Sequence, residues 1–416
     1  MFLTGAVRVD NNSAFGSDFK WVTYPKVGAT WVVNEEPFWR WKSVVNALKL
    51  RAAYGESGRQ PQAFAALRTF VPVPGPGGTS GVTTGQLGNS NLKPERGKEL
   101  EAGFEASVFD RLSLDFTYYN KRTTDEIVSQ PVAPSSGFAG NQFQNLGRVD
   151  THGVELGAQL QAIQGKQFSW DIATNFATNS DIIRSLGNLP TLVTSAGQYN
   201  VVGYPINGIF VRPVVYAERN TAGSPTTGWA KNALCAGATK GSAPVPCATA
   251  PFVYLGTYTP KISGSVSNDF TFVKRLRVHA LVDFKSGHHV YNANDNIRCT
   301  GLVGVPLCRA NYYPDEYTPI QLAEMTGTAT ALGMIDEWMQ PGSFAKLREV
   351  SATYTLPENM LHGFSRASFT LAARELHTWT RYKGLDPESQ DNNSVTHDQA
   401  VIPPLSRILA TINLTF

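Results

Sequence analysis

The sequence predicts an all-β chain, a transmembrane antiparallel β-barrel wall, and three observations predict it. The first is the final segment, Arg407 to Phe416. Ile408, Ala410, Ile412, Leu414 and Phe416 fall on one face of a strand, and Arg407, Thr411, Asn413 and Thr415 on the other, with Leu409 the apolar exception. A strand of about ten residues that alternates in this way suits a tilted membrane crossing, with lipid on one side and water on the other. The second observation is that the same period-2 pattern recurs along the chain. The third is an asymmetry of connections. Turns near 110, 165 and 274 are about three residues long, whereas the connections near 55–95, 122–149, 179–260 and 287–342 run to tens of residues. Outer-membrane barrels separate short periplasmic turns from long extracellular loops in this manner.

The alternation justifies each strand in turn. Lys98 to Val108 places Leu100, Ala102, Phe104, Ala106 and Val108 opposite Glu99, Glu101, Glu105 and Ser107. After Phe109-Asp110-Arg111, Leu112, Leu114, Phe116 and Tyr118 oppose Ser113, Asp115 and Thr117. Val154, Leu156, Ala158 and Leu160 oppose Glu155, Gln159 and Gln161. Beyond Gln164-Gly165-Lys166, Phe168, Trp170, Ile172 and Phe176 oppose Ser169, Asp171 and Asn175. A further pair flanks Val273-Lys274-Arg275. The predicted strands lie near 2–10, 19–33, 46–54, 97–108, 112–121, 150–163, 167–178, 261–273, 276–286, 343–355, 366–376 and 407–416. Gly208 to Ala217 is read as an extra strand or part of an extracellular fold, and Asn34 to Asn46, with Trp39 and Trp41, as a short interfacial helix. Trp21, Trp31, Tyr118, Tyr119, Tyr354, Trp379 and Tyr382 sit near strand ends, where interface girdles belong. Core aromatics of a water-soluble β-protein are the alternative.

Composition narrows the class. Charged residues are 17% of the 416, below the ~25% usual in soluble domains. Mean hydropathy is nevertheless −0.19, and no run of apolar residues is long enough for a membrane helix. A net charge of +3 without a basic run gives no reason to expect nucleic acid. Cys235 and Cys247, and Cys299 and Cys308, form two close pairs in loop-like sequence rich in Gly and Pro. This favours two local disulfides made in an oxidising compartment. A four-thiolate metal site competes, but lacks the C-x2-C spacing.

No catalytic, cofactor-binding or metal residue is assigned, and an enzyme is not expected, because no hydrolase, zincin or phosphate-loop signature occurs. Pro74 to Gly81 is Gly-rich, but prolines interrupt it and no helix follows. His288 and His289, near Asp283, read as a solvated rim at the top of a strand rather than a metal site. Glu99, Glu101, Glu105, Asp115, Glu155 and Asp171 read as the wet lumen face of a wall rather than as paired catalytic acids.

Several segments carry a family resemblance. Phe2 to Asp10, with Phe15-Gly16 and Tyr24-Pro25-Lys26-Val27, resembles a strand–loop–strand of SusC/RagA-type TonB-dependent outer-membrane transporters. Leu48 to Gly58 resembles the next strand. Asn91 to Gly103, beginning Asn91-Leu92-Lys93-Pro94-Glu95, and Asn145-Leu146-Gly147 with His152-Gly153-Val154-Glu155-Leu156, are similar to features of TonB-dependent receptors generally. Gly203-Tyr204-Pro205-Ile206, Phe344 to Val350 with Tyr354-Thr355-Leu356-Pro357, and Gly384-Leu385-Asp386-Pro387-Glu388 resemble the SusC/RagA branch more narrowly.

The resemblance implies a barrel of about 22 strands around a plug. Residues 1–416 would be the carboxy-terminal part of that barrel, with about twelve of its strands. The plug and TonB box would lie outside this chain, as would the signal sequence that Met1, leading directly into a strand, does not offer. It also implies an outer-membrane location and TonB-dependent import of a nutrient such as an oligosaccharide or peptide. A SusD-like surface lipoprotein would serve as lid, TonB would act through the plug, and no cofactor would be needed. Asp386 and Glu388 resemble residues of the last extracellular loop, with loop ordering and ligand contact both open. The alternatives are a siderophore- or cobalamin-type receptor, an outer-membrane enzyme and a soluble glycan-binding β-protein.

Overall fold

Twelve long strands occupy the predicted stretches, several of them longer than the alternation indicated. The computed structural model describes residues 1–12, 21–138, 140–145, 147–187, 191–195, 197–225, 227–238, 242–300, 307–357, 363–389 and 397–416. Phe15-Gly16 and Leu146 of the family-like segments, and the start of the second predicted strand, lie outside the described residues.

The chain divides into two units. The first comprises residues 1–156, 179–192 and 200–206. Its ladder runs in order through β1 (Phe2–Asp10), β2 (Val22–Val32), β3 (Val45–Arg59), β4 (Glu95–Val108) and β5 (Leu112–Thr124), every neighbour antiparallel. Strand β6 (Arg148–Gln164) belongs to this unit as far as Leu156. One face carries Leu50, Phe104 and Phe116, the two phenyl rings stacking at 5.5 Å. The opposite face carries Lys49 at 2.9 Å from Glu105, and Arg51 against Asp115. The sequence asks for this division, because side chains two apart share a face. At the β4–β5 turn, Phe109 and Asp110 both take φ 53°, the left-handed geometry that lets a tight turn follow the twist of its strands.

The second unit comprises residues 157–178, 193–199 and 207–416. Here β7 (Phe168–Thr178), β8 (Ile262–Phe272), β9 (Leu276–Ser286), β10 (Phe344–Thr355), β11 (Arg366–Thr380) and β12 (Arg407–Thr415) pair in order, again antiparallel. The apolar side chains of β12 are largely exposed, Ile408 at 77% and Ile412 at 70%. Strand exposure of that kind fits a wall whose other half-core is lipid.

One expectation needs correction, and two long connections gain detail. No α-helix spans 34–46. A 3-10 turn at Val33–Glu35 is followed by tight turns, with Trp39 N bonded to Glu36 O at 3.0 Å and Val45 N to Trp41 O at 2.8 Å. Trp39 and Trp41 pack edge to face at 5.4 Å there. Gly208 to Ala217 is two short strands, Gly208–Val211 and Val214–Arg219, in different small sheets. The long connection from 287 to 342 is folded, with helices at Ala293–Cys299, Arg309–Tyr312, Pro319–Ala323 and Gly327–Leu332. Thr318 and Gln321 form a reciprocal capping box there, which satisfies amides that the helix leaves unpaired. Among the described residues no helix is long and apolar enough to cross a membrane.

Candidate functional site

The second unit carries a folded cap above β8 to β11. Its core gathers Ile209, Val211, Tyr258, Tyr291, Leu322, Ile335, Trp338 and Met339 around Cys299 and Cys308. A neighbouring cluster packs Val214, Ala329 and Met334 around Cys235 and Cys247. The sulfur atoms stand 2.02 Å apart in the Cys235–Cys247 pair and 2.09 Å apart in the Cys299–Cys308 pair. The cysteines are not all in irregular backbone: Cys235 ends a short strand and Cys299 ends a helix. Within the cap, Glu324 is 1% exposed, and its Oε2 accepts from Glu337 N at 2.9 Å. Burial pushes the Glu324 carboxyl well above its ordinary range, and neighbouring Asp336 adds to the rise. A neutral acid sharing a hydrogen bond with Asp336 satisfies both facts.

The last extracellular loop is held to the wall by charge. Lys346 on β10 is 1% exposed and places Nζ 2.8 Å from both carboxylate oxygens of Asp386 and 3.1 Å from Glu388 Oε2. Lys285 on β9 reaches Glu388 Oε1 at 3.1 Å. Arg348 donates to Glu388, to Asp283 at 2.8 and 2.9 Å, and to Glu375 at 3.0 Å. Three cations thus meet four carboxylates. Burial pushes the Glu388 carboxyl up, but hydrogen bonds from Arg348, Lys346 and Lys285 outweigh it and hold the group at about 2. Such mutual satisfaction is what allows charges to leave water. The register slips beside Arg348 on both sides of β10, and Glu375 takes φ 51°. That left-handed conformation costs a non-glycine residue energy, and here the ion pair with Arg348 helps to hold it. Asp386 also accepts from Glu388 N at 2.7 Å, a bond within the loop itself.

A second clasp holds the far end of the same loop. Asp398, 1% exposed, accepts from Tyr382 Oη and from Asn294 N at 3.2 Å. Ala400 N bonds Asn294 Oδ1 at 3.0 Å, and Asp398 N bonds Tyr291 O at 3.2 Å. The loop is therefore tied both to the wall and to the cap.

Other residues singled out in the sequence fall as follows. Glu105 and Asp115 pair with Lys49 and Arg51, and Glu99 pairs with Lys121 at 3.9 Å, all on the polar face of the first unit. In that unit two general receptor segments meet: Asn145 Oδ1 accepts from Lys93 N at 2.7 Å while its Nδ2 donates to Lys93 O at 2.7 Å. The adjoining Leu92 is fully buried against Ala65 and Ala66. The expected solvated rim at His288 is a correction. His288 is 5% exposed, and burial pushes its imidazole down to about 4, while Asp283 is occupied by Arg348. Sequence reasoning missed Lys346, Arg348 and Glu375 as loop anchors. The available signal was the two-residue spacing shared by Lys346/Arg348 and Asp386/Glu388.

Strands with one apolar and one charged face, short turns at one end and ordered loops at the other define the class: the wall of an outer-membrane β-barrel. A family model described as TonB dependent receptor-like, beta-barrel matches residues 2–271, and the chain belongs to that family. TonB-dependent receptor P3 of Formosa agariphila is 25% identical over 435 residues, covering 94% of this chain and 41% of that protein. TonB-dependent receptor SusC of Bacteroides thetaiotaomicron is 28% identical over 237 residues, 52% of this chain and 24% of that protein. Among solved structures, the RagAB peptide importer in its closed-closed state superposes with a TM-score of 0.83 at 23% identity, over 100% of this chain and 46% of that one. The chain thus spans less than half the length of these relatives, and its fold is part of a TonB-dependent receptor barrel. The SusC/RagA resemblance is borne out, and the location is the outer membrane.

Proposed function

We propose that residues 1–416 are the carboxy-terminal part of the barrel of a TonB-dependent importer of oligosaccharides or peptides. The observation that carries this reading is the last loop, fixed by buried Lys346 to the wall and by Asp398 to the cap. Ligand capture at a barrel mouth needs loops that keep their shape in water, and this loop is built to keep it. The likeness to a peptide importer supports the same reading. A SusD-like surface lipoprotein would close over the cap, and TonB would act through a plug outside these residues. Transport of this kind makes and breaks no bond in the cargo, so no enzymatic activity is assigned. Both cysteine pairs are proposed to be disulfides of the mature cap, as their geometry and an exported location support.

The test is uptake of labelled peptides and labelled oligosaccharides by cells that express the complete receptor carrying this segment, with and without TonB. Uptake of one cargo class that disappears without TonB, and falls in a Lys346→Ala receptor, is the expected result. Uptake of neither class, or uptake indifferent to TonB, would overturn the proposal.

A further inference from the structure

On the first unit the apolar face of the wall ends in a cluster of arginines. Asp150 receives three guanidinium groups: Arg148 at 2.9 and 2.8 Å, Arg184 at 3.1 Å and Arg122 at 3.3 Å. Beside them, Lys98 and Arg96 share Glu56 at 3.5 and 3.6 Å. Five cations therefore face two carboxylates. Arg148 already grips Asp150 with two hydrogen bonds, so Arg122 and Arg184 add like-charge repulsion for one bond each. Both keep about half their side-chain surface open, 53% and 52%. An arrangement of this kind is favourable where a further anion arrives.

The position of the cluster says which anion. Arg122 pairs in register with Lys98, Asn120 with Leu100, Tyr118 with Ala102 and Phe116 with Phe104, and no slip interrupts the ladder. Arg122 and Lys98 thus lie on the same face as Leu100, Phe104, Phe116 and Tyr118, the face opposite Lys49, Glu105, Arg51 and Asp115. Along β5, Leu112 beside the short turn to Arg122 is about 33 Å of strand, or roughly 23 Å of depth at a 45° tilt. The apolar band of such a wall is about 25 Å tall. The arginines therefore stand where acyl chains give way to headgroups, on the side of the long loops.

We propose that Arg122, Arg148 and Arg184 form a docking site for the phosphorylated headgroup of an outer-leaflet lipid. Phosphate oxygens take paired guanidinium donors, and the apolar stripe below receives the acyl chains. Free phosphate offers the same oxygens but not the chains. The three arginines are far apart in sequence, so no basic run announces the site.

Native mass spectrometry of the complete receptor in detergent doped with lipid A, or with its dephosphorylated counterpart, tests this. Retention of the phosphorylated form alone is expected. Replacing Arg122, Arg148 and Arg184 together by Gln should weaken retention on the order of a hundredfold, at about fivefold per charge. Arg51→Gln, on the opposite face, should leave retention unchanged. Asp150→Asn removes the internal counter-charge and should tighten retention about fivefold, where a purely structural Asp150 would only loosen the fold. Equal retention by a triple variant that still shows folded, heat-modifiable mobility on a gel would overturn the proposal. So would unchanged or weaker retention by the Asp150→Asn receptor, or displacement of the lipid by excess inorganic phosphate alone.

Discussion

Two regions of the second unit solve the problem of apolar surface in opposite ways. Strand β12 leaves Ile408 and Ile412 at 77% and 70% exposure, whereas the cap buries Leu322 and Ile335 completely. The wall borrows its second layer from lipid, and its strands need contribute only one stripe. The cap stands in water and must supply both sides of its core. It does so like a small secreted domain, adding paired cysteines where helices of a few residues cannot bury enough surface. The loop that bears Asp386 and Asp398 joins the two regions, and it uses charge because each side offers it partners on a polar face.

The contrast can be broken at its joint first. Lys346→Ala strands Asp386 and Glu388 without their shared cation, and removal of one partner of a buried pair costs roughly 3–5 kcal/mol. Hydrogen exchange should show residues 384–389 losing protection while β12 keeps its own. Unchanged protection would mean that Lys285 and Arg348 suffice. In the cap, Leu322→Ala should cost about 2–5 kcal/mol by opening a cavity, seen as faster proteolysis within 287–342 of an otherwise resistant protein. On the wall, Ile412→Arg should cost roughly 2–4 kcal/mol, read as a lower midpoint of unfolding in denaturant from lipid vesicles. The same change should matter little if β12 faced water.

The smallest effect is also the sharpest, because acid acts on the two regions with opposite sign. Glu388 is held below the ordinary carboxylate value, to about 2. Its contribution is whole above the ordinary value and is lost as pH falls toward 2. Glu324 is pushed above the ordinary value by burial. Its contribution is whole at low pH and is lost as pH rises above the ordinary carboxylate range. Hydrogen exchange across a pH series should show the 386–389 segment loosening in acid while 324–339 tightens. Glu324→Gln should flatten the second trend only, and parallel trends in both segments would contradict the assignment.

How much of this was legible follows from the same contrast. The wall was legible because a lipid-facing stripe must repeat every second residue, as in Leu100, Ala102 and Phe104. The extensions of β3 to Arg59 and β11 to Thr380 were not, because above the lipid both faces meet water and the alternation fades. The cap was illegible because its core joins Ile209 to Leu322 and Met339, residues with no shared period. Asp386, Glu388 and the Phe344–Val350 segment were each visible through family likeness. Their union was not, since it depends on how β9, β10 and β11 are aligned. Trp39 and Trp41 misled because they suggested an interfacial helix where the chain instead makes successive tight turns.

The register slip at Arg348 has one further consequence. Above it, the even-numbered Lys346 looks into the barrel beside Asp283. Below it, the odd-numbered Glu349 does so, against Arg374 at 2.7 Å. The slip resets the phase of the strand, so mouth and membrane halves of β10 can be rewritten independently, each in its own frame. Deleting Arg348 would remove the extra residue and leave Lys346 and Glu349 on one face and Leu347 and Val350 on the other, whereas a deletion elsewhere in the strand would flip one half against the other.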